Sequence, residues 1–414
     1  MTANASTAST QSEQDPHPTT RLDLLRNRPL MTLMLGHYTV DMYSGIIPFL
    51  YPLLTDKFDL SLGTVGFVSL AYSGASSISQ PLFGMVADRK GIRFIGLALM
   101  WTGFMFSILG FATTFPMLLL LAACAGLGSG AYHPMGALGA NAAIGAGQRN
   151  VAMSLYVTGG TLGVACGPLI GATLFHFFGL HGTAAMFIPG VGISIWMLIE
   201  MRNITNVTVH RRAIDTNLPP IPIRPMLIII GLMMMRSWTM SSLQAYIPTW
   251  YEELGYGAGF YGLLTTTLLL SSVVGTIGSG SLADKHGRKI LMIVSSVATV
   301  PAVFLFAQFP GWFGFVSAAM IGLLAASTGP LLLVMAQQLM HGRAGVASGL
   351  ILGLGFVMGA IGVPIVGAIA DHIGIQAAFR VQAVISSGAI ILAVMLPSEK
   401  RMTEIINQPE RAPA

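Results

Sequence analysis

Gly84-Met-Val-Ala-Asp88-Arg89-Lys-Gly91-Ile-Arg93 lies between two long apolar runs. It returns as Gly280-Ser-Leu-Ala-Asp284-Lys285-His-Gly287-Arg288-Lys289, 196 positions further on (284 less 88). One such loop in a soluble chain carries little information. Two at a fixed offset, each closing an apolar helix, indicate a duplicated membrane protein. Other landmarks keep the same offset. Pro52 matches Pro248, Gly66 matches Gly262 and Pro134 matches Pro330. Gly159, Gly163, Pro168 and Gly171 match Gly355, Gly359, Pro364 and Gly367, and His176 matches His372. Parallel internal repeats of this kind occur in transporters.

Composition agrees. The 414 residues are 53% hydrophobic and 9% charged, against about 25% charged in soluble proteins. Apolar runs repeatedly reach the ~20 residues that cross a bilayer as helix. Twelve are read: 30–53, 62–87, 94–113, 115–140, 150–178, 183–201, 225–250, 259–283, 289–308, 311–336, 345–370 and 377–396. They lack strand-like alternation, so helices rather than barrel strands are expected. The expected fold is an all-α polytopic membrane protein of two six-helix bundles, 30–201 and 225–396. They are joined by a linker at 202–224 and flanked by tails at 1–29 and 397–414. The N-terminal tail is polar and reads as disordered, without the apolar centre of a signal peptide.

The net charge of +5 is distributed as a topology signal. With twelve spans, 18 of the 21 Lys and Arg fall on the side holding both termini and both duplicated loops. Lys57 and Arg380 fall opposite, and Arg236 lies within a span. The positive-inside rule places the termini in the cytoplasm, which makes a bacterial inner membrane the expected location and nucleic acid no expected partner. Cys124 and Cys166 read as small packing residues, since neither has metal-ligand spacing.

Ionisable groups inside the spans are the candidate chemistry. His37, Asp41 and Ser44 follow one another at helical offsets of four and seven and share a face. Asp41 stands ~18 Å into its span by helical rise, near the midplane. A carboxylate so deep must face water or a partner. His133 precedes Pro134 in the fourth span; it reads as a proton carrier, a substrate contact or a packed neutral ring. Arg236 lies at a similar depth in the seventh span and aligns with Val40, beside Asp41. It is expected either to pair with Asp41 or to meet an anionic substrate through its planar fork of donors. Asp41, His37 and His133 are therefore the proton-coupling candidates. Arg236, Tyr38, Tyr132 and Gln244 are the substrate-contact candidates.

The duplicated loops are expected to serve as hinge and latch. Their residues are Gly84, Asp88, Arg89, Gly91 and Arg93, then Gly280, Asp284, Lys285, Gly287 and Arg288. In the fifth span Gly159, Gly163, Gly167 and Gly171 recur every four positions, with Pro168 among them. Such a row makes a smooth face for another helix, and the same packing would seal or gate a pathway.

These loops and spans resemble the major facilitator superfamily from about residue 30 to 396. The loop at 280–289 matches that family's pattern between neighbouring helices well. In the first copy Ile92 stands where Arg or Lys is common. Gly163-x-x-x-Gly167-Pro168-x-x-Gly171 resembles the fifth-helix motif of the antiporter branch, with Ala172 in place of a second terminal Gly. The fourth-helix Arg motif of many proton-coupled drug exporters is not evident. His37-x-x-x-Asp41, Tyr51-Pro52, Gln80-Pro81-x-x-Gly84 and Tyr132-His133-Pro134 resemble the fosmidomycin-resistance group of exporters. The resemblance implies a central cavity lined by the first, fourth, seventh and tenth helices, alternating access, and a monomer.

The expected function is proton-coupled efflux of small organic, anionic or drug-like compounds, with the proton as coupling ion and no bound metal or organic cofactor. Proton-coupled uptake of an organic acid or another small nutrient is the alternative. A membrane-embedded sensor or enzyme finds no support, since neither H-E-x-x-H nor G-x-S-x-G occurs.

Overall fold

The structure is a computed structural model that describes residues 26–143, 149–201, 220–340 and 344–407. Most of the two tails and the linker, and the side chain of Asp88, lie outside the described residues.

The described residues form helices and no strand. The first span is a helix over Arg28–Ile46, a 3-10 turn over Ile47–Leu50 and a helix over Tyr51–Phe58. Asn27 caps its start, accepting the Leu30 N–H. Pro48 and Pro52 each lack an N–H for the helical ladder, which is why the helix tightens there. The second span runs from Leu62–Val65 through Gly66 into Phe67–Lys90. The third is Ile95–Ser107 and a turn at Leu109–Phe111; the fourth is Phe115–Ala142. The fifth is Arg149–Phe178, linked by the 3-10 stretch Gly179–Met186 to the sixth, Phe187–Glu200. The seventh to eleventh are Ile223–Glu253, Ala258–His286, Arg288–Gln308, Phe313–Leu339 and Ala344–Ile373. The twelfth is Ile375–Ser386 with Gly388–Met395. A last helix, Glu399–Asn407, lays Met402 against the core.

Eight of these stretches are long and apolar enough to cross a membrane by length and hydropathy alone. The difference from twelve runs has plain causes. The fifth and sixth run together as one stretch, Leu155–Glu200. The third is short, Ile95–Phe111. The first is broken by its prolines and carries His37 and Asp41, and the second carries Ser69, Ser73, Ser76, Ser77, Ser79 and Gln80.

Packing repeats the duplication. The first span lies on the fifth as the seventh lies on the eleventh. The second pairs with the fourth as the eighth with the tenth, and the third with the sixth as the ninth with the twelfth. The glycine row of the fifth span explains the closest of these approaches. A methyl at Gly159 would press on the Met34 carbonyl oxygen, at Gly163 on that of Tyr38, and at Gly167 on the Gly45 backbone. At Gly171 it would stand 3.2 Å from Phe49 Cβ.

The halves meet where the second span packs on the eleventh and the eighth on the fifth. The duplicated Gly/Pro pair forms this seam twice. A methyl at Gly66 would reach within 2.9 Å of Pro364 Cα, and one at Gly262 within 3.4 Å of the Pro168 carbonyl oxygen. Both contacts lie far from the duplicated loops. At that end a single apolar core runs from the first half into the second, through residues such as Tyr51, Tyr246, Tyr261 and Phe379. At the loop end the second half has a separate core of its own, including Ile229, Met292, Leu332 and Met335. The molecule is joined at one end and divided at the other.

Candidate functional site

Asp41 sits in the first span between two imidazoles. His133 Nε2 of the fourth span is 3.0 Å from Asp41 Oδ1. His37 Nε2, one turn before Asp41, is 3.2 Å from Oδ2. The far nitrogen of each ring is also fixed. His37 Nδ1 lies 2.8 Å from the Tyr156 carbonyl oxygen, and His133 Nδ1 lies 2.7 Å from that of Ser129. Tyr156 also stacks on His37, with ring centroids 4.1 Å apart. Gly160 gives the cluster its room, because a methyl there would meet both Asp41 Oδ2 and His37 Nε2.

The backbone contacts fix the imidazole tautomers. A carbonyl oxygen only accepts, so each ring carries hydrogen on Nδ1. In a neutral ring with that tautomer, Nε2 presents a lone pair. Each Nε2 to carboxylate contact therefore needs one added proton. With none, a carboxylate faces two lone pairs; with one, a single contact is satisfied; with two, both are. The carboxylate between them is half-buried, at 19% side-chain exposure. The three ligand-type groups lie within 4.8 Å of one another. Both imidazoles address separate carboxylate oxygens at hydrogen-bond distance.

The other candidates are placed as follows. Arg236 does not join Asp41. Its Nε donates to the Ala325 carbonyl oxygen at 2.8 Å, and it lies against Gly329 of the tenth span. Among the described residues it forms no ion pair. Tyr132 is fully buried and donates its hydroxyl to Leu33 O at 2.8 Å, so in this conformation it braces the first half from within. Tyr38 is half-buried beside Cys166, and Gln244 is half-buried two turns beyond Arg236.

In the duplicated loops, Gly91 and Gly287 end their helices at φ +67° and +85°, where a side chain would be strained. Arg89, Arg93, Asp284 and Lys285 are exposed, while Gly84 is half-buried, its added methyl falling 3.9 Å from Pro134 Cβ. Gly280 has open space around it. Arg288 bonds Gln338 at 2.6 Å and faces Glu399 at 3.9 Å. Ile92, the residue departing from the family pattern, is fully buried in the first half's core.

Tyr156, Ser129 and Gly160 were not singled out as site residues by sequence reasoning. Tyr156 and Ser129 contribute backbone oxygens, which have no sequence signal. Gly160 follows Gly159 of the glycine row by one position and also faces the first span. Gln382 was also missed: fully buried, it accepts from Trp238 Nε1 at 2.9 Å and donates to Thr239 Oγ1 at 3.0 Å.

A family model described as the Major Facilitator Superfamily matches residues 33–350 and 226–413. The chain is 28% identical over 384 residues to the fosmidomycin resistance protein of Escherichia coli (strain K12), covering 90% of this chain and 93% of that one. It is 29% identical over 390 residues to the uncharacterized MFS-type transporter YfnC of Bacillus subtilis (strain 168), covering 91% and 94%. Among solved structures, a bacterial homologue of the human lysosomal transporter Spinster, inward-facing and occupied, superposes with a TM-score of 0.75 at 15% identity, covering 93% of this chain and 99% of that one. A D-xylose-proton symporter does so with 0.74 at 14%, covering 92% and 99%.

Proposed function

Because this chain belongs to the Major Facilitator Superfamily, and is thus a multi-pass membrane transporter rather than an enzyme, we propose that it exports small organic, anionic or drug-like compounds in exchange for protons. The observation carrying this reading is the carboxylate of Asp41 held by His37 and His133. A mid-span acid with two bases at hydrogen-bond distance loads and releases protons without dismantling its surroundings. The two-ended seam supports alternating access, the halves rocking about the joined end. With the basic loops in the cytoplasm, the divided end faces inward and the joined end faces out. The relative named for fosmidomycin resistance supports the outward direction of transport. On this reading the protein acts as a monomer in the bacterial cell membrane, with the proton as coupling ion and no bound cofactor.

Proteoliposomes test this. Phosphonates, organic acids and hydrophobic drugs are presented to wild type and Asp41→Asn, and proton movement is recorded. Substrate-triggered proton counterflow that is lost in the variant is expected. Normal proton-driven efflux in Asp41→Asn excludes the assigned role. A relative named as a probable 4-methylmuconolactone transporter makes uptake of an organic acid the second reading. Net accumulation of substrate in whole cells would select it.

A further inference from the structure

The two halves differ in what fills their interiors. In the first half the hydroxyl of Tyr43 reaches Met186 O at 2.9 Å, and it lies against Gly103 and Gly190, which pack directly on each other. Tyr132 is likewise fully buried in that half. At the repeat offset, Tyr43 becomes Thr239 and Tyr132 becomes Thr328; Gly103 and Gly190 become Thr299 and Ser386. Two large rings are thus replaced by four short hydroxyl side chains. The volume is not refilled. A cleft of about 40 Å³ remains among the seventh, ninth, tenth and twelfth spans. Thr239, Ser295, Thr299, Thr328 and Ser386 line it, and so does Arg236. Every lining residue belongs to the second half, so this is not the cavity between the halves.

Arg236 is the only charged group in that lining. Its Nε is committed to Ala325 O, and Nη1 lies 3.9 Å from the Met233 sulfur. Among the described residues the guanidinium has no carboxylate partner. A half-buried, unneutralised guanidinium is unfavourable, and its parallel donors match two oxygens of one anion. The surrounding hydroxyls are bound among themselves or to backbone. Thr239 pairs with Ser386 at 2.9 Å, and Thr299 and Thr328 donate to the carbonyls of Ser295 and Ala325. They supply a polar wall without a competing charge.

We infer that this cleft is an oxyanion pocket internal to the second half, in which Arg236 holds a compact carboxylate, phosphate or phosphonate group. The inference rests on the reading of Arg236 as an anion contact and gives that contact its place. The source of the oxyanion is either a free small anion or the head of a transported organic molecule. The walls admit a compact group rather than an extended one.

The test is equilibrium stabilisation of the full-length protein in detergent, so no gradient or coupling is involved. The thermal midpoint is titrated with inorganic phosphate, acetate and methylphosphonate, against sodium chloride at equal ionic strength. A saturable rise is expected in wild type, since a ligand binding only the folded state stabilises it. Arg236→Gln should weaken it at least tenfold, and Arg236→Lys, which keeps the charge but not the fork, should weaken it less. Thr328→Tyr, which restores the ring of the first half, should abolish it with Arg236 intact. Asp41→Asn should leave it unchanged, which separates this pocket from the proton reading. Saturation by phosphate alone assigns a free anion; tighter binding of organic phosphonates or carboxylates assigns a head group. The inference is overturned if no oxyanion stabilises wild type, or if the response persists undiminished in both Arg236 variants.

Discussion

Asp371 and Leu62 lie 309 positions apart and are joined by a 2.6 Å hydrogen bond from the Leu62 N–H to the carboxylate. The Gly63 N–H reaches the other oxygen at 2.9 Å. A carboxylate in the last turn of the eleventh span thus meets the free N–H groups that open the second, where negative charge is favoured. The Tyr246 hydroxyl stands 2.8 Å from Leu62 O and 2.9 Å from Val363 O, bridging the same two spans.

Asp371→Ala should loosen the joined end. The pair is exposed, so the loss is set at about 1 kcal/mol, or roughly fivefold in the open-to-closed population. Spin labels on the adjoining ends of the second and eleventh spans would report a longer mean distance. An unchanged distribution would show that the Gly66 and Gly262 contacts hold this end without the carboxylate.

Tyr246→Phe removes the bridging proton donor while keeping the ring against Tyr51, 5.8 Å away. It should weaken closure by ~1 kcal/mol. Because Tyr246 and Asp371 both hold Leu62, the double variant should depart from additivity by at least ~0.5 kcal/mol. Strict additivity in the same distance measurement would mean that the two contacts act independently.

Gly160→Ala should separate Asp41 from His37, since the methyl meets both. The expected outcome is folded protein with a stability loss of ~1–3 kcal/mol and strongly reduced proton-coupled transport. Full coupling in this variant would remove His37 from the proton site.

His133→Gln keeps a donor near Asp41 Oδ1 but no longer takes up a proton. Transport should persist, with a flattened dependence on pH and fewer protons moved per substrate. A wild-type pH profile would assign His133 to packing alone.

Much of this was legible in the chain. The offset of 196 residues exposed the duplication because Gly and Pro mark backbone needs that few other residues meet, and those needs recur in each half. Gly66 and Pro364 are landmarks for this reason, and they turned out to be half of the seam. The shared face of His37 and Asp41 followed from helical spacing. What stayed hidden was azimuth. Arg236 aligns with Val40, one residue from Asp41, and one residue is ~100° around a helix. Val40 is fully buried inside its half. Arg236, its duplicate, likewise turns into its own half, so equal depth did not bring acid and base together. Backbone acceptors such as Tyr156 O were hidden too, because any residue can supply one.

The glycine row at positions 159, 163, 167 and 171 has a mechanical consequence. With carbonyls of the first span seated where side chains would be, these two helices have almost no room to slide or rotate against each other. They move as one stiff piece. His37 and Asp41 belong to one of those helices and the Tyr156 carbonyl to the other, so these three are carried together in one rigid wall. Under the proposed alternating access, that wall would turn from one aqueous compartment toward the other with these contacts intact. Passage across the insulating layer would then be a change of which water a fixed group can see.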